Sequence, residues 1–586
     1  MLHQAAWLSS LITLCVGAAV SQDSWNQTAH NGSSDSIPMI RANGFDPLGV
    51  WFAGVEALTQ KEPSSARVKA AKNKNIGIVG AGMSGLMTYL VLHEAGFKNL
   101  TILEAGNRLG GRVHTSYLSG GPFSYSYQEM GAMRFPVDYV DENGNSHKIS
   151  DTQLVFFLIE EMNKRNKGNA DLRVDLIPWI DYNENGLQYF NGIRTADGLP
   201  PTLQQIADNS SLTQSVILDP ETKATSDKLN DNLPDDDFFI AMAKSMYKAH
   251  RKWNDNGLGG QPGDRWSEFS YISQYLKGSL NSTDILDDQQ DPQGSFWEYV
   301  YDLMYESAGT FKTVDGGLSR IPLSFGPLVN DKTQLGVKVE RVQYSDGEVT
   351  LQWKHSFKDR EFQNSTFDYA VISAPFTVVR QWRLPDIPIT MANAIDNLIY
   401  DTSCKVALEY SERFWEKYEN PIYGGCSTQT DIPGIRMVCY PSYNMNGTGR
   451  ATILASYIEG SSNHEISRMM TMSDEEHAQY TLDAMTEIHG EDTRRLYTGK
   501  FDRKCWALDP LAGAAWANPS AGQHELYIPE YFKVHKNLIF VGEHTSYTHG
   551  WISGALDSGI RGAVQLLLEL GLVNEAKAAV KKWLVR

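Results

Sequence analysis

The feature that most limits how this chain can fold is a glycine-rich turn set between a strand and a helix. Asn75-Ile-Gly-Ile-Val-Gly80 is a short apolar run with β-branched residues and predicts a buried strand. Residues 82–95 predict a helix, and Asn99-Leu-Thr-Ile-Leu-Glu-Ala105 predicts a second strand, which together make a βαβ unit. Between strand and helix stands Gly80-Ala-Gly82-Met83-Ser84-Gly85. Gly80 permits the tight turn, Gly82 lets backbone approach a pyrophosphate, and Gly85 lets the helix pack on the strand. The helix start offers free N–H groups and positive dipole potential to phosphate. Glu104, followed by Ala105, ends the second strand where a carboxylate accepts ribose hydroxyls. A dinucleotide site follows, with NAD and FAD both open at this point.

Two further segments favour FAD. Arg108-Leu-Gly110-Gly111-Arg112 supplies a second close backbone approach and a guanidinium able to pair with phosphate. Far downstream, Val541-Gly542-Glu543 closes a strand, and Gly550-Trp551-Ile552-Ser553-Gly554-Ala555 opens a helix. Glu543 suits ribityl or ribose hydroxyls, and the helix start suits the negative charge that a reduced flavin develops.

With these motifs in place, the chain resembles the flavin-containing amine oxidases, and more closely the secreted L-amino acid oxidases of fungal and snake-venom type. The resemblance covers nearly everything after about residue 72. Its narrowest signature is Gly131-Ala132-Met133-Arg134-Phe-Pro136. In the family this loop touches the flavin and its arginine pairs with the substrate carboxylate, for which a planar guanidinium is well suited. The resemblance further implies that Tyr440 also binds that carboxylate and that the Gly550 carbonyl holds the substrate amine. Trp551 and Trp506 become aromatic walls, Lys405 holds a water near the flavin, and backbone at Val339 meets the adenine half. Non-covalent FAD is expected, because no cysteine lies in the C-terminal flavin segment. A homodimer is expected from the family alone.

The implied activity is oxidative deamination of L-amino acids by dioxygen, yielding 2-oxo acids, ammonia and hydrogen peroxide. The alternatives are a polyamine or monoamine oxidase, a secreted flavoprotein acting by binding without turnover, and an NAD-dependent dehydrogenase.

The fold class is α/β: a Rossmann-like FAD-binding domain, a mixed-sheet substrate domain and a helical domain. The first is expected from 72–112, 315–398 and 530–574, the second from 113–150 and 399–529, and the third from 151–314. The helical region is expected to break at a polar loop around 220–236. Strands are expected at Gly336 to Tyr344, Val349 to Trp353, Asp368 to Ser373 and Asn537 to Gly542, with an antiparallel sheet over 400–460. A net charge of −18 repels phosphate backbones and argues against nucleic acid.

The apolar stretch from about Ala5 to Val20 reads as a secretory signal ending near residue 21, with 22–71 a polar surface arm. Nothing after it reads as a membrane span. Sequons at Asn26, Asn31, Asn99, Asn209, Asn281, Asn364 and Asn446 agree with export, although Asn99 runs into a strand. The pairing of Cys404, Cys426, Cys439 and Cys505 stays open, with Cys426–Cys439 plausible across a hairpin. No cysteine or histidine spacing suggests a metal.

Overall fold

The computed structural model describes Val55 and residues 63–213, 218–287, 293–356, 358–460 and 464–584. The expected signal segment, most of the arm, and the sequons at Asn26 and Asn31 lie outside these residues. The end of the arm is not irregular: Ser65–Lys72 is a helix.

The opening unit forms as its pattern predicts: β1 (Ile76–Val79), α1 (Met83–Glu94) and β2 (Leu100–Glu104). All four β1 side-chain positions are buried, as expected of a central parallel strand covered on both faces.

The segment read as a polar loop around 220–236 contains a helix, Pro220–Asn230. Asp219 caps it, accepting from the N–H groups of Glu221 and Thr222, and Pro220 occupies the first turn. The acidic, asparagine-rich composition had masked a start signal made of a capping carboxylate followed by proline. Further along come α2 (Met246–Asn256) and α3 (Phe296–Glu306). The strand Ala308–Val314 then pairs with Phe135–Val140 and Leu176–Trp179, so two strands of a small antiparallel sheet, Leu176–Trp179 and Ala308–Val314, lie within the stretch read as helical.

The chain then returns to the first sheet. The strand expected from Gly336 begins at Val339 and runs to Ser345, starting an antiparallel meander, and is preceded by a strand not expected, β3 (Thr333–Leu335), parallel to β2. Gly336 has φ +73° and separates them. β4 (Tyr369–Ile372) lies parallel to β1 on its other side.

The second large sheet follows, from β5 (Tyr400–Tyr410), β6 (Gly425–Thr430), β7 (Met437–Tyr440), β8 (Ala451–Gly460) and β9 (Tyr497–Cys505). Its order is β9-β5-β8-β7-β6, edged by Gln188–Tyr189. Each of these five strands is antiparallel to its neighbours, and Gln188–Tyr189 adds a parallel edge. Cys404 and Cys505 face each other across β5 and β9 and form one disulfide, while Cys426 and Cys439 bridge β6 and β7.

The period of two decides which residues meet the cavity. Val406, Leu408 and Tyr410 of β5, with Val438 and Tyr440 of β7, pack on the side of the helix Asp474–His489. Lys405 and Ala407, with Met437 and Cys439, face the other way.

Next come α4 (Gln523–Tyr531), β10 (Leu538–Phe540) and α5 (Ile552–Glu569), followed by a last described helix, Val573–Trp583. β10 completes a parallel sheet of order β3-β2-β1-β4-β10. No helix among the described residues is long and apolar enough to cross a membrane.

Candidate active site

A cavity of about 600 Å³ runs from the β1–α1 turn to the second sheet, a volume suited to a cofactor-sized ligand. At its first end, Gly80 adopts φ +105° and its N–H donates to the Leu103 carbonyl at 2.8 Å. A Cβ added to Gly82 would meet nothing within 4 Å, so the approach to the turn is open. Met83 and Ser84 line the same wall, where the start of α1 carries no side-chain cap. Gly85 stands behind it: a Cβ there would lie 2.0 Å from the Gly80 carbonyl oxygen.

Glu104 is held on both oxygens, by the N–H of Ala81 at 2.7 Å and that of Gly106 at 2.6 Å. Each oxygen keeps lone-pair capacity for ribose hydroxyls. Ala105, Gly111 and Val339 complete this end of the cavity.

In the middle, Arg112 pairs with Glu543 at 2.8 Å and also donates to the Ala515 carbonyl. Burial opposes ionisation of Glu543, but Arg112 and His549 outweigh it and hold the carboxyl well below the usual range. Gly542, Gly550, Trp551, Ile552 and Ala555 line the wall nearby, where α5 begins without a side-chain cap. Ser553 and Gly554 sit in that first turn but off the wall. A Cβ at Gly554 would lie 2.5 Å from the Thr548 carbonyl, so this glycine serves packing.

At the far end, the Gly131–Arg134 loop is clamped from two sides. Lys405 donates to the Gly131 carbonyl at 2.7 Å, and Trp506 donates through its indole N–H to the Met130 carbonyl at 2.8 Å. Burial pulls the Lys405 amine down to about 8, against the pull of Glu459 and Glu129. Glu129, buried behind the loop, is pushed up to about 8 by desolvation.

Arg134 lies on the cavity wall between Glu306, at 2.5 Å, and Asp181, at 3.7 Å, with its guanidinium 4.9 Å from the Trp179 ring centroid. Burial disfavours its charge, but those two carboxylates outweigh that and keep it ionised. Its Nε has no hydrogen-bond partner, so the fork retains a donor.

Tyr440 is not in the cavity. It faces the opposite side of β7, with its hydroxyl 2.9 Å from His489 Nε2 and its ring in the core against the helix Asp474–His489. Strand alternation gives the cavity side to Cys439, whose sulfur is tied up in the disulfide. The phenol that does line the cavity, beside Lys405, is Tyr457 of β8. Lys405 Nζ sits 4.4 Å from its ring centroid, and its hydroxyl hydrogen-bonds Glu459. Alternation in Ser456-Tyr-Ile-Glu459 was the available signal for this pair. Also unanticipated were Trp516, which faces Gly550, and the carboxylates Asp302 and Glu306 of α3. Burial and the adjacent Glu306 raise the Asp302 pKa well above normal, while a hydrogen bond from Trp551 opposes this.

A sequence model of the family described as flavin containing amine oxidoreductase matches residues 83–567. The chain is 56% identical over 564 residues to an L-amino-acid oxidase of Neurospora crassa, covering 94% of this chain and 80% of that one. It is 24% identical to L-amino acid oxidase Bs29 of Bothriechis schlegelii, over 89% of this chain and 96% of that one. Among solved structures, cyclohexylamine oxidase from Brevibacterium oxydans aligns with TM-score 0.56 at 18% identity, over 84% of this chain and 98% of that one.

Proposed function

This chain belongs to the flavin-containing amine oxidoreductases, and on that premise we propose that it is an FAD-dependent L-amino acid oxidase. The observation that carries the reading is Arg134, a charged planar fork on the wall of the cavity, held in the loop that Lys405 and Trp506 clamp. An amine substrate without a carboxylate has no use for it.

The residues present suit FAD. The Gly80–Gly85 turn and the start of α1 would hold the pyrophosphate, Glu104 a ribose, and the start of α5 the electron-rich edge of the ring. Both disulfides engage every cysteine among the described residues, so no thiol is available for covalent attachment. Bound FAD would supply the two-electron acceptor for the Cα hydrogen and the path for those electrons to dioxygen, which leaves as peroxide.

The protein's part is placement. Arg134 anchors the substrate carboxylate, with Tyr457 in the place expected of Tyr440. The Gly550 carbonyl accepts from the amine, and Trp551, Trp506 and Trp516 exclude water from the reacting carbon. The substrate ammonium must lose a proton, so the rate rises with pH. Lys405, with a pKa of about 8, is charged at neutral pH and becomes neutral above that value. Lys405→Met is expected to lower turnover by roughly 10²-fold, at the low end for general acid–base residues, and to remove the limb near pH 8 from the kcat profile. Oxygen-consumption kinetics against pH check this; an unchanged profile removes Lys405 from the chemistry.

The cavity wall beside α3 is acidic. Asp302 and Glu306, one helical turn apart on α3, and Glu459 on β8 line it, against the cations Arg134 and Lys405. This favours L-amino acids with a cationic side chain. One charge-assisted hydrogen bond would favour L-lysine over L-norleucine by roughly 10- to 100-fold in kcat/KM. Asp302→Asn, which leaves the Arg134–Glu306 pair in place, should shrink that ratio, and equal rates in the unaltered enzyme would discard the preference.

Export as a glycoprotein and a homodimer belong to the same reading. Asn209, Asn281, Asn364 and Asn446 are exposed, and two disulfides suit an oxidising compartment. The decisive assay is peroxide release from the purified protein across L-amino acids, D-amino acids, putrescine and spermidine. Activity on L-amino acids supports the reading; activity on the polyamines alone replaces it with a polyamine oxidase.

A further inference from the structure

Behind the wall that carries Glu543 and Gly550 lies a fully buried group of imidazoles and a carboxylate that the proposed reaction does not use. His250 of α2, Asp264 of the turn Gly263–Arg265, and His524 of α4 are 3%, 0% and 2% exposed. One ligand-capable atom from each lies within 4.8 Å of the others. His524 Nδ1 is 3.0 Å from Asp264 Oδ1, and His524 Nε2 is 3.0 Å from His549 Nε2. His549 Nδ1 in turn lies 3.0 Å from the Glu543 carbonyl oxygen. His250 Nε2 has no hydrogen-bond partner at all.

Counting hydrogens exposes a conflict. Asp264 and the Glu543 carbonyl can only accept, so without a further ligand both Nδ1 atoms must carry hydrogen. The facing Nε2 atoms need one more between them. Three hydrogens on two rings make an imidazolium, which Asp264 at 3.0 Å and Glu543 Oε2 at 3.5 Å can balance, but His250 Nε2 still stands unsatisfied.

We propose that His250, Asp264 and His524 bind a divalent transition-metal ion of the zinc type. The ion takes the His250 Nε2 lone pair, an Asp264 oxygen and the His524 Nδ1 lone pair. His524 Nε2–H then donates to His549 Nε2, and His549 Nδ1–H donates to the Glu543 carbonyl. Every ring is neutral, and the His250 Nε2, His524 and His549 nitrogens are all used. Two imidazoles and one carboxylate are an ordinary donor set for such an ion, with metal–ligand distances of about 2.0–2.2 Å. The ring left to complete the chain, His549, orients a ligand while contacting the cofactor wall, as outer-shell partners of metal sites do.

Asp264 is itself fixed, accepting from the Glu525 N–H at 2.8 Å and from the Ser295 hydroxyl at 3.3 Å. The consequence is a staple: α2 and α4, far apart in sequence, are tied to the segment that presents Gly550.

The test is elemental analysis of the holoenzyme, purified without a metal-affinity step from zinc-replete and from zinc-depleted cultures. The expected result is one ion per chain from replete culture, and a lower melting temperature for depleted protein that recovers when zinc is supplied. Asp264→Asn and His250→Gln should each abolish stoichiometric metal. Substoichiometric metal in folded, flavin-loaded protein from replete culture, with a melting temperature that zinc does not move, overturns the proposal and leaves a shared proton between the two rings. The readout is independent of which amines or amino acids the enzyme oxidises.

Discussion

Arg134→Met, assayed on flavin-loaded protein, is expected to lower kcat/KM for L-amino acids by roughly 10²- to 10³-fold. Removing one partner of a buried, hydrogen-bonded charge pair costs about 2–5 kcal/mol, and each 1.4 kcal/mol is tenfold. The substitution does more than delete an attraction. Glu306 and Asp181, now at 2.5 Å and 3.7 Å from the guanidinium, would remain at the wall without their cation and would repel the incoming carboxylate. Methionine keeps the apolar stem against Trp179, so lost packing contributes little. Amines that lack a carboxylate should be spared this penalty, so the ratio of amine to amino-acid turnover should rise. Steady-state peroxide release on L-leucine, L-lysine and putrescine reads both effects. If kcat/KM for the amino acids holds while flavin content is unchanged, Arg134 serves only to bind Glu306, and the L-amino acid reading loses its anchor.

The parts of this site that could be read in advance are those whose chemistry is local. Gly80, Gly82 and Gly85 do their work within one turn, and Glu104 ends the adjacent strand, so spacing alone reached this end of the cavity. Arg134 and Lys405 were reachable through short motifs, and both reach the cavity. Tyr440 failed because a motif names a neighbourhood and not a face. One position along a strand reverses the side chain, and β7 turns Tyr440 toward His489 while β8 supplies Tyr457.

The acidic wall was out of reach for a different reason. Asp302 and Glu306 lie in a stretch whose relation to Arg134 exists only once α3 packs beside the strand Phe135–Val140. The His250, Asp264 and His524 group is the extreme case, since neither spacing nor motif joins ligands drawn from three elements. The helix Pro220–Asn230 was a misreading of composition, because Asp219 and Pro220 mark a helix start within a sequence that otherwise looks like a loop.

Gly82→Ala and Gly85→Ala, three residues apart in one turn, are both expected to lose flavin, but only the second to lose stability. At Gly82 a Cβ meets nothing within 4 Å, and φ is −69°, which any residue adopts. The fold should therefore be unharmed, with the apoprotein melting as before. The methyl would project into the space where a pyrophosphate must approach the backbone, so the protein should be recovered with most of its flavin missing. At Gly85 the added Cβ lies 2.0 Å from the Gly80 carbonyl oxygen and 3.3 Å from the Ser373 hydroxyl oxygen. Backbone cannot rotate out of the way, and Gly80 is already committed to φ +105°. The start of α1 must shift off β1, at a cost of about 1–3 kcal/mol typical of overpacking, and the phosphate-facing amides shift with it. Flavin should be lost here too, but together with a lower melting temperature of the apoprotein. Flavin absorbance per chain and apoprotein melting separate the two. A Gly82→Ala protein that keeps stoichiometric flavin would mean that the phosphates do not lie over this turn, and the site would have to be rebuilt around the Gly110–Gly111 approach instead.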